Sequence, residues 1–271
     1  MNSIAVLMTV HNRKDLTLEC LKHLHCNKIP EGYSLRVYMV DDGCTDGTPE
    51  AVKKEYPQVK IINGNGNLFW NRGMIRAWEE SIKDNPSYFL LLNDDTLLFP
   101  LAVQIMLNAL TQTDSMCLIS GATKATNSDS VTYGGRIGNK DVSPNGTLQR
   151  IDLINANCLL VPREVYDKIG MLDSYFHHSM GDWEYGLRAN KAGIKNYLAP
   201  DYIGTCDLHE VTLPKCYNPK YTLKERFNYL SNPLAPMPRE VFYFRYKYYG
   251  LRRAILSSAK IIVRTLFPKL F

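Results

Sequence analysis

The sequence lacks several features that would define other classes of protein. No run of about 18 residues is both apolar and uncharged, so we expect no transmembrane helix. The first ten residues lack a basic segment, which argues against a signal peptide. The seven cysteines are odd in number and include no CxxC pair, so free thiols in a reducing cytoplasm are expected. With only 17 glycines and 14 prolines, a collagen-like or low-complexity chain is excluded.

The composition is that of a folded protein with an uneven charge. The 271 residues are 45% hydrophobic and include 17 Tyr, 9 Phe and 3 Trp, too many aromatic rings for a disordered chain. The net charge is +5, but residues 235–271 hold eight basic residues and one acidic residue. This segment therefore carries +7 and residues 1–234 carry −2. A nucleic-acid partner is not expected, because the body of the chain is acidic.

Apolar runs alternate with helical patterns in the first hundred residues. Continuous runs with β-branched residues predict strands that are buried on both faces, at 4–10, 35–40, 59–62 and 88–92. Helical spacing predicts helices between them, at 15–28, at 49–56 with Thr48 as the N-cap, and at 69–83. This order predicts an α/β fold with an open, mostly parallel sheet and helices on both faces.

The pattern is weaker after residue 100. A hairpin or mobile loop is expected over 121–150, where small polar residues dominate. Further elements are predicted as strands at 154–161 and 197–202, and as helices at 162–170 and 181–193.

Polar residues follow three of the predicted strands. They are Thr9, His11 and Asn12, then Asp41 and Asp42, then Asn93, Asp94 and Asp95. Ligands of open α/β sheets bind at the carboxyl ends of strands, and grouped carboxylates suit a hard divalent ion carried with phosphates. A plain turn explains Asp41–Gly43 equally well. The adjacent carboxylates of Asp94 and Asp95 favour a site, because like charges repel unless a cation lies between them.

Two further patterns bear on chemistry. Asp182 lies at the N-terminus of a predicted helix, where a carboxylate is stabilised, and a simple helix cap is the alternative reading. Glu184 should face away from Asp182. Cys206-x-x-His209 is half of a zinc motif, and because no second pair occurs we do not expect zinc.

The ordered motifs together resemble glycosyltransferase family 2, over about residues 3–212. The segments that carry the resemblance are TVHNR (9–13), VDDGCTDGT (40–48), LNDDT (92–96), NCLLVPRE (157–164), GMLD (170–173), GDWEYGLR (181–188) and KAG (191–193). The resemblance implies a GT-A fold, an inverting mechanism, and a subgroup similar to rhamnosyl- and galactofuranosyltransferases.

The resemblance also implies residue roles. Asp41 would accept the imide N–H of uracil or thymine, Asp95 would bind the metal, and Asp182 would be the general base. His209 would complete the metal coordination, as in some family members. The implied donor-binding residues are Thr9, His11, Asn12, Arg13, Asp41, Asn67, Trp70, Arg72, Asn93 and Asp94. Two positions depart from the family pattern: Asn93 opens the DxD position, and Gly181 replaces a glutamate.

The predicted function is the transfer of a sugar from a UDP- or dTDP-sugar to a hydroxyl of a glycan or lipid-linked glycan, with Mg²⁺ or Mn²⁺, in cell-surface polysaccharide synthesis. A sugar-phosphate nucleotidyltransferase is an alternative, but it usually needs a glycine-rich loop, and residues 11–15 contain no glycine. A non-catalytic sugar-binding protein of the same fold is the other alternative.

The basic tail is predicted to be helical and amphipathic. We divide the chain into a catalytic domain at 1–234, with a donor half at 1–97 and an acceptor half at 98–234, and a tail at 235–271. Residues 242–249 mix aromatic rings with cations. Further along, helical spacing aligns an apolar stripe of Leu251, Ile255, Ala259, Ile262 and Leu266 and a basic stripe of Arg253, Lys260 and Arg264. This pattern suits the interface of the inner face of the cytoplasmic membrane. Packing on the catalytic domain, or on a second subunit in a homodimer, is the alternative.

Overall fold

The computed structural model describes residues 1–113, 116–208 and 212–270. Strands β1 to β13 are, in chain order, Asn2–Val10, Tyr33–Asp41, Lys60–Asn63, Tyr88–Leu92, Leu97–Leu98, Cys117–Lys124, Val131–Tyr133, Gly135–Ile137, Lys140–Val142, Gln149–Arg150, Leu153–Ile154, Cys158–Pro162 and Lys195–Thr205. Helices α1 to α9 are Lys14–His25, Thr48–Glu55, Phe69–Ser81, Ala102–Thr111, Arg163–Ile169, Gly181–Lys191, Leu223–Tyr229, Pro238–Tyr249 and Leu251–Leu266.

The main sheet is mixed but mostly parallel. Its strand order is β10-β13-β6-β12-β4-β1-β2-β3, and β5 and β7 add to β13 and β6. The neighbours β4, β1, β2 and β3 run parallel, whereas β12 lies antiparallel between β4 and β6. The predicted α/β fold with a GT-A sheet is confirmed.

Helices cover both faces of this sheet, as predicted. Apolar residues of α1, α2 and α4 pack on one face, and those of α3, α5 and α6 pack on the other. Trp78 of α3 is fully buried on the second face, where its ring lies 5.1 Å from Phe89 and 5.8 Å from Tyr185. The core thus fixes the starts of α3 and α6, the two helices whose first turns approach the candidate site.

Two local predictions were wrong, and a third was right in one of its two alternatives. The predicted strand at 154–161 is two strands, β11 and β12, separated by a turn. The hairpin or mobile loop expected at 121–150 contains a hairpin of β8 and β9, together with the end of β6 and the short strands β7 and β10. Thr48 is the first residue of α2 rather than its cap, because Gly47 precedes the helix with a φ of +82° that glycine adopts without strain.

The basic tail is two helices, α8 and α9, that meet at Gly250, whose φ is +84°. Helix α8 packs on the preceding part of the chain through Phe244, which is buried against the rings of Phe176 and Trp183. Helix α9 folds back along α8 and also contacts α7. The division of the chain at residue 234 stays a prediction.

A buried carboxylate joins α8 to α6. The Glu184 side chain is fully buried and accepts hydrogen bonds from Arg188 of its own helix and from Lys247 and Tyr248 of α8, the last two at 2.9 Å. Lys247 also donates to Asp173 at 3.0 Å. The two carboxylates raise the pKa of Lys247 in spite of its partial burial, so this ammonium stays charged.

We expect Glu184→Gln to destabilise the fold. Removing one charge of a buried ion pair costs about 3–5 kcal/mol. Partial exposure of the Arg188 and Lys247 side chains, at 24% and 30%, screens part of this loss. The melting temperature should fall by at least about 5 °C, measured by differential scanning fluorimetry. Glu19→Gln, which weakens an exposed pair with Lys22, is the matched control and should melt like the wild type. An equal melting temperature for both variants would contradict this role of Glu184.

Candidate active site

The acidic pair after β4, Asp94 and Asp95, binds a cationic residue that follows β1. Because β1 and β4 are parallel neighbours, their carboxyl ends share one edge of the sheet. There the Arg13 guanidinium donates to Asp95 at 2.9 Å and to Asp94 at 3.2 Å. Burial raises the pKa of Asp94 to about 6, although the charge of Arg13 acts in the opposite direction. The positive charge expected between the two carboxylates is therefore supplied by the chain itself.

The residue that organises the next loop is Asp42, to which sequence reasoning gave no role. Its buried carboxylate accepts hydrogen bonds from three backbone N–H groups, those of Gly66 at 2.8 Å and of Leu68 and Phe69 at 2.9 Å. The His11 Nδ1 lies 2.7 Å from the Asp42 carbonyl oxygen. Asp42 thus ties the ends of β1 and β2 to the start of α3. The only signal for it was a second aspartate directly after a buried strand.

Several predicted donor-binding residues shape neighbouring loops. Asn12 has a left-handed φ of +52°, and its side-chain oxygen accepts the Thr45 N–H at 2.7 Å. The Asp41 carboxylate accepts the Cys44 N–H at 2.7 Å. Asn67 is exposed in the loop before α3. These three residues lie at or just beyond the carboxyl ends of β1, β2 and β3, along one side of the same edge.

Helix α3 begins against this edge. Its Trp70 indole N–H donates to the Asn93 side chain at 2.7 Å, so Asn93 is oriented by α3. A Cβ on Gly73 would lie 2.2 Å from the Thr9 hydroxyl oxygen, so only glycine allows α3 to approach β1 this closely. The structure therefore brings together Arg13, Trp70 and Asn93 around the acidic pair.

Asp182 reaches the same edge from α6. Its carboxylate accepts the Trp183 N–H at 2.8 Å and lies 3.4 Å from the Asn155 amide nitrogen. Asn155 precedes β12, and β12 is antiparallel to β4, so Asn155 lies beside the carboxyl end of β4. Burial raises the pKa of Asp182 to about 6, with backbone hydrogen bonds and the charge of Arg136 acting in the opposite direction. Sequence reasoning assigned neither residue a role, because Arg136 lies in the polar region 121–150 and Asn155 was placed in a predicted strand at 154–161.

The glycine before Asp182 has a steric cause. A Cβ on Gly181 would lie 1.8 Å from the Asn71 side-chain oxygen, closer than any real contact. Asn71 is buried in α3 and donates to the carbonyls of Asp173 and Phe176, both at 2.9 Å. A glutamate at 181 would therefore separate α3 from α6, and Asp182 is the only carboxylate of this helix turn that faces the edge.

Arg72 faces a different space from the acidic pair. It lines a cavity of about 520 Å³ together with Ser174, whose carbonyl accepts from the Arg72 Nε at 3.3 Å, and with His177, Arg239 and Tyr243. Arg239 and Tyr243 come from α8, so the tail helps to form this cavity. A larger cavity of about 780 Å³, near Tyr88 and Arg163, lies at the opposite edge of the sheet and contains none of the predicted residues.

Residues 5–208 match the family described as Glycosyl transferase family 2. The chain belongs to this family. No curated protein matches the sequence.

Solved glycosyltransferase structures share the fold. S. aureus TarS is 13% identical with a TM-score of 0.59, and the match covers 93% of this chain but only 43% of that chain. TarS 1–349 in complex with UDP is 14% identical with a TM-score of 0.56, over 89% of this chain and 69% of that chain. The mannosyltransferase PcManGT from Pyrobaculum calidifontis, in complex with GDP-Man and Mn²⁺, is 14% identical with a TM-score of 0.54. This match covers 99% of this chain and 80% of that chain. At these identities the likeness shows the fold alone.

The side chains at this edge match the ligands of a hard divalent metal ion only in part. In the described residues, no three His, Cys, Asp or Glu side chains are grouped closely enough to hold a metal ion. Asp94 and Asp95 supply oxygen ligands of the kind that Mg²⁺ and Mn²⁺ take together with phosphate. Burial raises the pKa of Cys206 to about 12, so its thiol stays protonated and donates to Asp95 at 3.5 Å. His209, the other predicted ligand, lies outside the described residues.

Proposed function

We propose that this glycosyltransferase inverts the anomeric centre as it moves a sugar from a UDP- or dTDP-sugar to a hydroxyl of a glycan or lipid-linked glycan. The observation that carries the proposal is the half-buried Asp182 carboxylate, whose pKa is raised to about 6 and which reaches the edge that holds Asp94 and Asp95. The proposed setting is polysaccharide synthesis in the cytoplasm, where the seven free thiols stay reduced.

The proposed reaction is a single displacement. The acceptor oxygen attacks the anomeric carbon while the bond from that carbon to the diphosphate oxygen breaks. Asp182 takes the proton of the acceptor hydroxyl, and the nucleoside diphosphate leaves with the bonding electrons. A divalent ion bound with the diphosphate at Asp95 would offset the charge of the leaving group. Arg13, whose guanidinium is hydrogen-bonded to Asp94 and Asp95, would be a second positive charge beside the leaving group.

The nucleoside is proposed to bind on one side of this edge. The residues on that side are His11, Asn12, Asp41 and Asn67. Asp41 can accept an imide N–H through the carboxylate oxygen that does not bind Cys44. Asn93 and Trp70 would hold the sugar beside the acidic pair. A uracil or thymine base fits this assignment.

The test is a screen of UDP- and dTDP-sugars with Mg²⁺ or Mn²⁺. The matching donor should raise the melting temperature in the presence of metal and should be hydrolysed slowly without acceptor. The anomeric configuration of a transfer product, read by NMR, should be opposite to that of the donor. Nucleotide-sugar binding without hydrolysis or transfer would support a sugar-binding protein. Formation of a nucleotide sugar from a nucleoside triphosphate would support a nucleotidyltransferase.

Arg72→Ala should raise the Michaelis constant for the donor. We propose that a bound donor extends from the acidic pair toward the cavity that Arg72 lines, so that the guanidinium reaches the diphosphate, whose oxygens match its paired N–H donors. In the structure its side chain is half-exposed, so it is accessible to a ligand. Steady-state kinetics should show a KM about tenfold higher with kcat little changed. The control is Arg76→Ala. Arg76 lies one turn further along α3 and forms an exposed ion pair with Glu79. An unchanged KM would exclude Arg72 from the donor site.

A further inference from the structure

The inner face of α9 is the one that packs on the rest of the protein. Ala254, Ile261 and Thr265 are buried on this face. Ile261 belongs to a small apolar cluster with Cys216, Tyr217 and Leu230. The predicted apolar stripe is therefore not the packing face, since four of its five members, including Leu251 and Ile255, are exposed.

The outer face of α9 leaves large apolar side chains in water. We define the outer face by its exposed apolar residues Leu251, Ile255, Leu256, Val263, Leu266 and Phe267. The exposed fractions reach 58% at Leu256 and 54% at Phe267. Leu256 and Val263 lie two turns apart on one line of the helix, and Leu266 follows Val263 by one turn. A contiguous apolar face of this kind marks an interaction surface.

The charged residues beside the outer face indicate which kind of partner it binds. Arg252, Arg253 and Lys260 are exposed on α9, and Lys269 is exposed just after it. No acidic residue occurs from 251 to 271, so this helix does not neutralise its own cations. Two copies of the face brought together would oppose like charges, whereas an anionic surface would neutralise them. Apolar side chains between cations are the pattern of helices that lie in a lipid interface.

Helix α8 fixes this face relative to the chemistry. Lys247 and Tyr248 of α8 bind Glu184 of α6, and Lys191 at the end of α6 donates to the Lys247 carbonyl at 3.1 Å. Because α6 begins with the turn that carries Asp182, a surface bound by α9 is held at a constant position relative to that carboxylate.

We propose that the outer face of α9 docks the protein on a bilayer of anionic phospholipid. In the described parts of the chain no helix is long and apolar enough to cross a bilayer, so docking is by insertion of this face into the interface. The proposal does not depend on the chemistry at Asp182. Vesicle binding needs neither donor nor acceptor, so its failure and the failure of the glycosyltransferase proposal are separate results.

The experiment is co-sedimentation of the full chain with vesicles of phosphatidylcholine and phosphatidylglycerol. We expect pelleting at low salt, a marked loss at high salt, and little binding to phosphatidylcholine alone. Leu256→Ser with Val263→Ser should lower the partition coefficient at least tenfold. Arg252→Gln with Lys260→Gln should lower it roughly 25-fold, because each cation near an anionic surface contributes about five-fold. Leu16→Ser with Ile137→Ser, which removes exposed apolar groups elsewhere, is the matched control and should pellet like the wild type.

Three results would overturn the proposal. The first is equal pelleting of the wild type and the Leu256/Val263 variant, and the second is no pelleting of the wild type at low salt. The third is a dimer, seen by light scattering, that is lost in the same variant while vesicle binding is absent, which would assign the face to a second copy. Circular dichroism of each variant checks that α9 remains helical.

Discussion

Asp182→Asn should slow sugar transfer by orders of magnitude while leaving donor binding intact. The amide keeps the size of the side chain and can still accept the Trp183 N–H, so the start of α6 should be preserved. It cannot take a proton from an acceptor hydroxyl. A positioned general base contributes roughly 10²–10⁴-fold to the rate, so kcat should fall by this factor. The affinity for UDP or dTDP, measured by calorimetry, should stay within about two-fold of the wild type. A general base contributes to the transition state and not to binding of the nucleotide.

The pH dependence of the wild-type enzyme offers a second measure of the same group. Burial raises the pKa of Asp182 to about 6, and only the ionised form accepts a proton. Turnover should therefore increase with pH through about 6 and level off above it. The residual rate of Asp182→Asn should lack this inflection. Because Asp94 also has a pKa of about 6, the comparison with the variant is what assigns the inflection to Asp182.

Asp167→Asn is the control for this prediction. Asp167 accepts from Arg163 at 2.7 Å on α5, and α5 begins at the opposite edge of the sheet, where Arg163 binds the carbonyl of Ser87. Its activity should equal that of the wild type. If Asp182→Asn retains activity within a few-fold of the wild type, another group is the base.

The fold of the first hundred residues could be predicted because its signals are local. Strands such as β1 and β4 are continuous apolar runs, and the helices between them show regular spacing, so neither needs knowledge of a partner. Strand β6 was missed because it buries Ser120 and Thr123. Their hydroxyl groups are satisfied by residues outside the strand, Thr123 by the Thr132 hydroxyl and Ser120 by the carbonyl of Asn155 at 2.9 Å. A sequence pattern does not contain these partners.

The same limit applies to the candidate site. The sequence predicted which strand ends carry polar groups, but not that Arg13 would lie between two carboxylates more than eighty residues away. Gly181 was visible only as a departure from a family pattern, and its cause is Asn71 on another helix. In the tail, the period of α9 predicted its amphipathic character, but the face that packs was fixed by α8. These features depend on contacts between residues that are far apart in the sequence, and local periodicity does not reveal such contacts.

Asp95→Ala should remove the metal-dependent part of nucleotide affinity. In the structure both carboxylates of the acidic pair are engaged by Arg13, so a free cation competes with a guanidinium already in place. We therefore expect Mn²⁺ to bind the wild type only together with UDP or dTDP, since the diphosphate adds ligands and gives Arg13 another acceptor. Calorimetry should show that Mn²⁺ strengthens nucleotide binding to the wild type. The same titration of Asp95→Ala should show no effect of the metal.

Arg13→Gln separates the role of the metal from that of the guanidinium. Without the positive charge, Asp94 and Asp95 are left as neighbouring carboxylates that are largely buried, and their repulsion favours a cation. This variant should bind Mn²⁺ even without nucleotide, detected as loss of the free Mn²⁺ signal in electron paramagnetic resonance. Arg36→Gln, which breaks an exposed pair with Asp84, should bind no more Mn²⁺ than the wild type. Metal binding by Asp95→Ala as strong as by the wild type would show that the ion is held elsewhere, and Arg13 would then be the only cation assigned to the acidic pair.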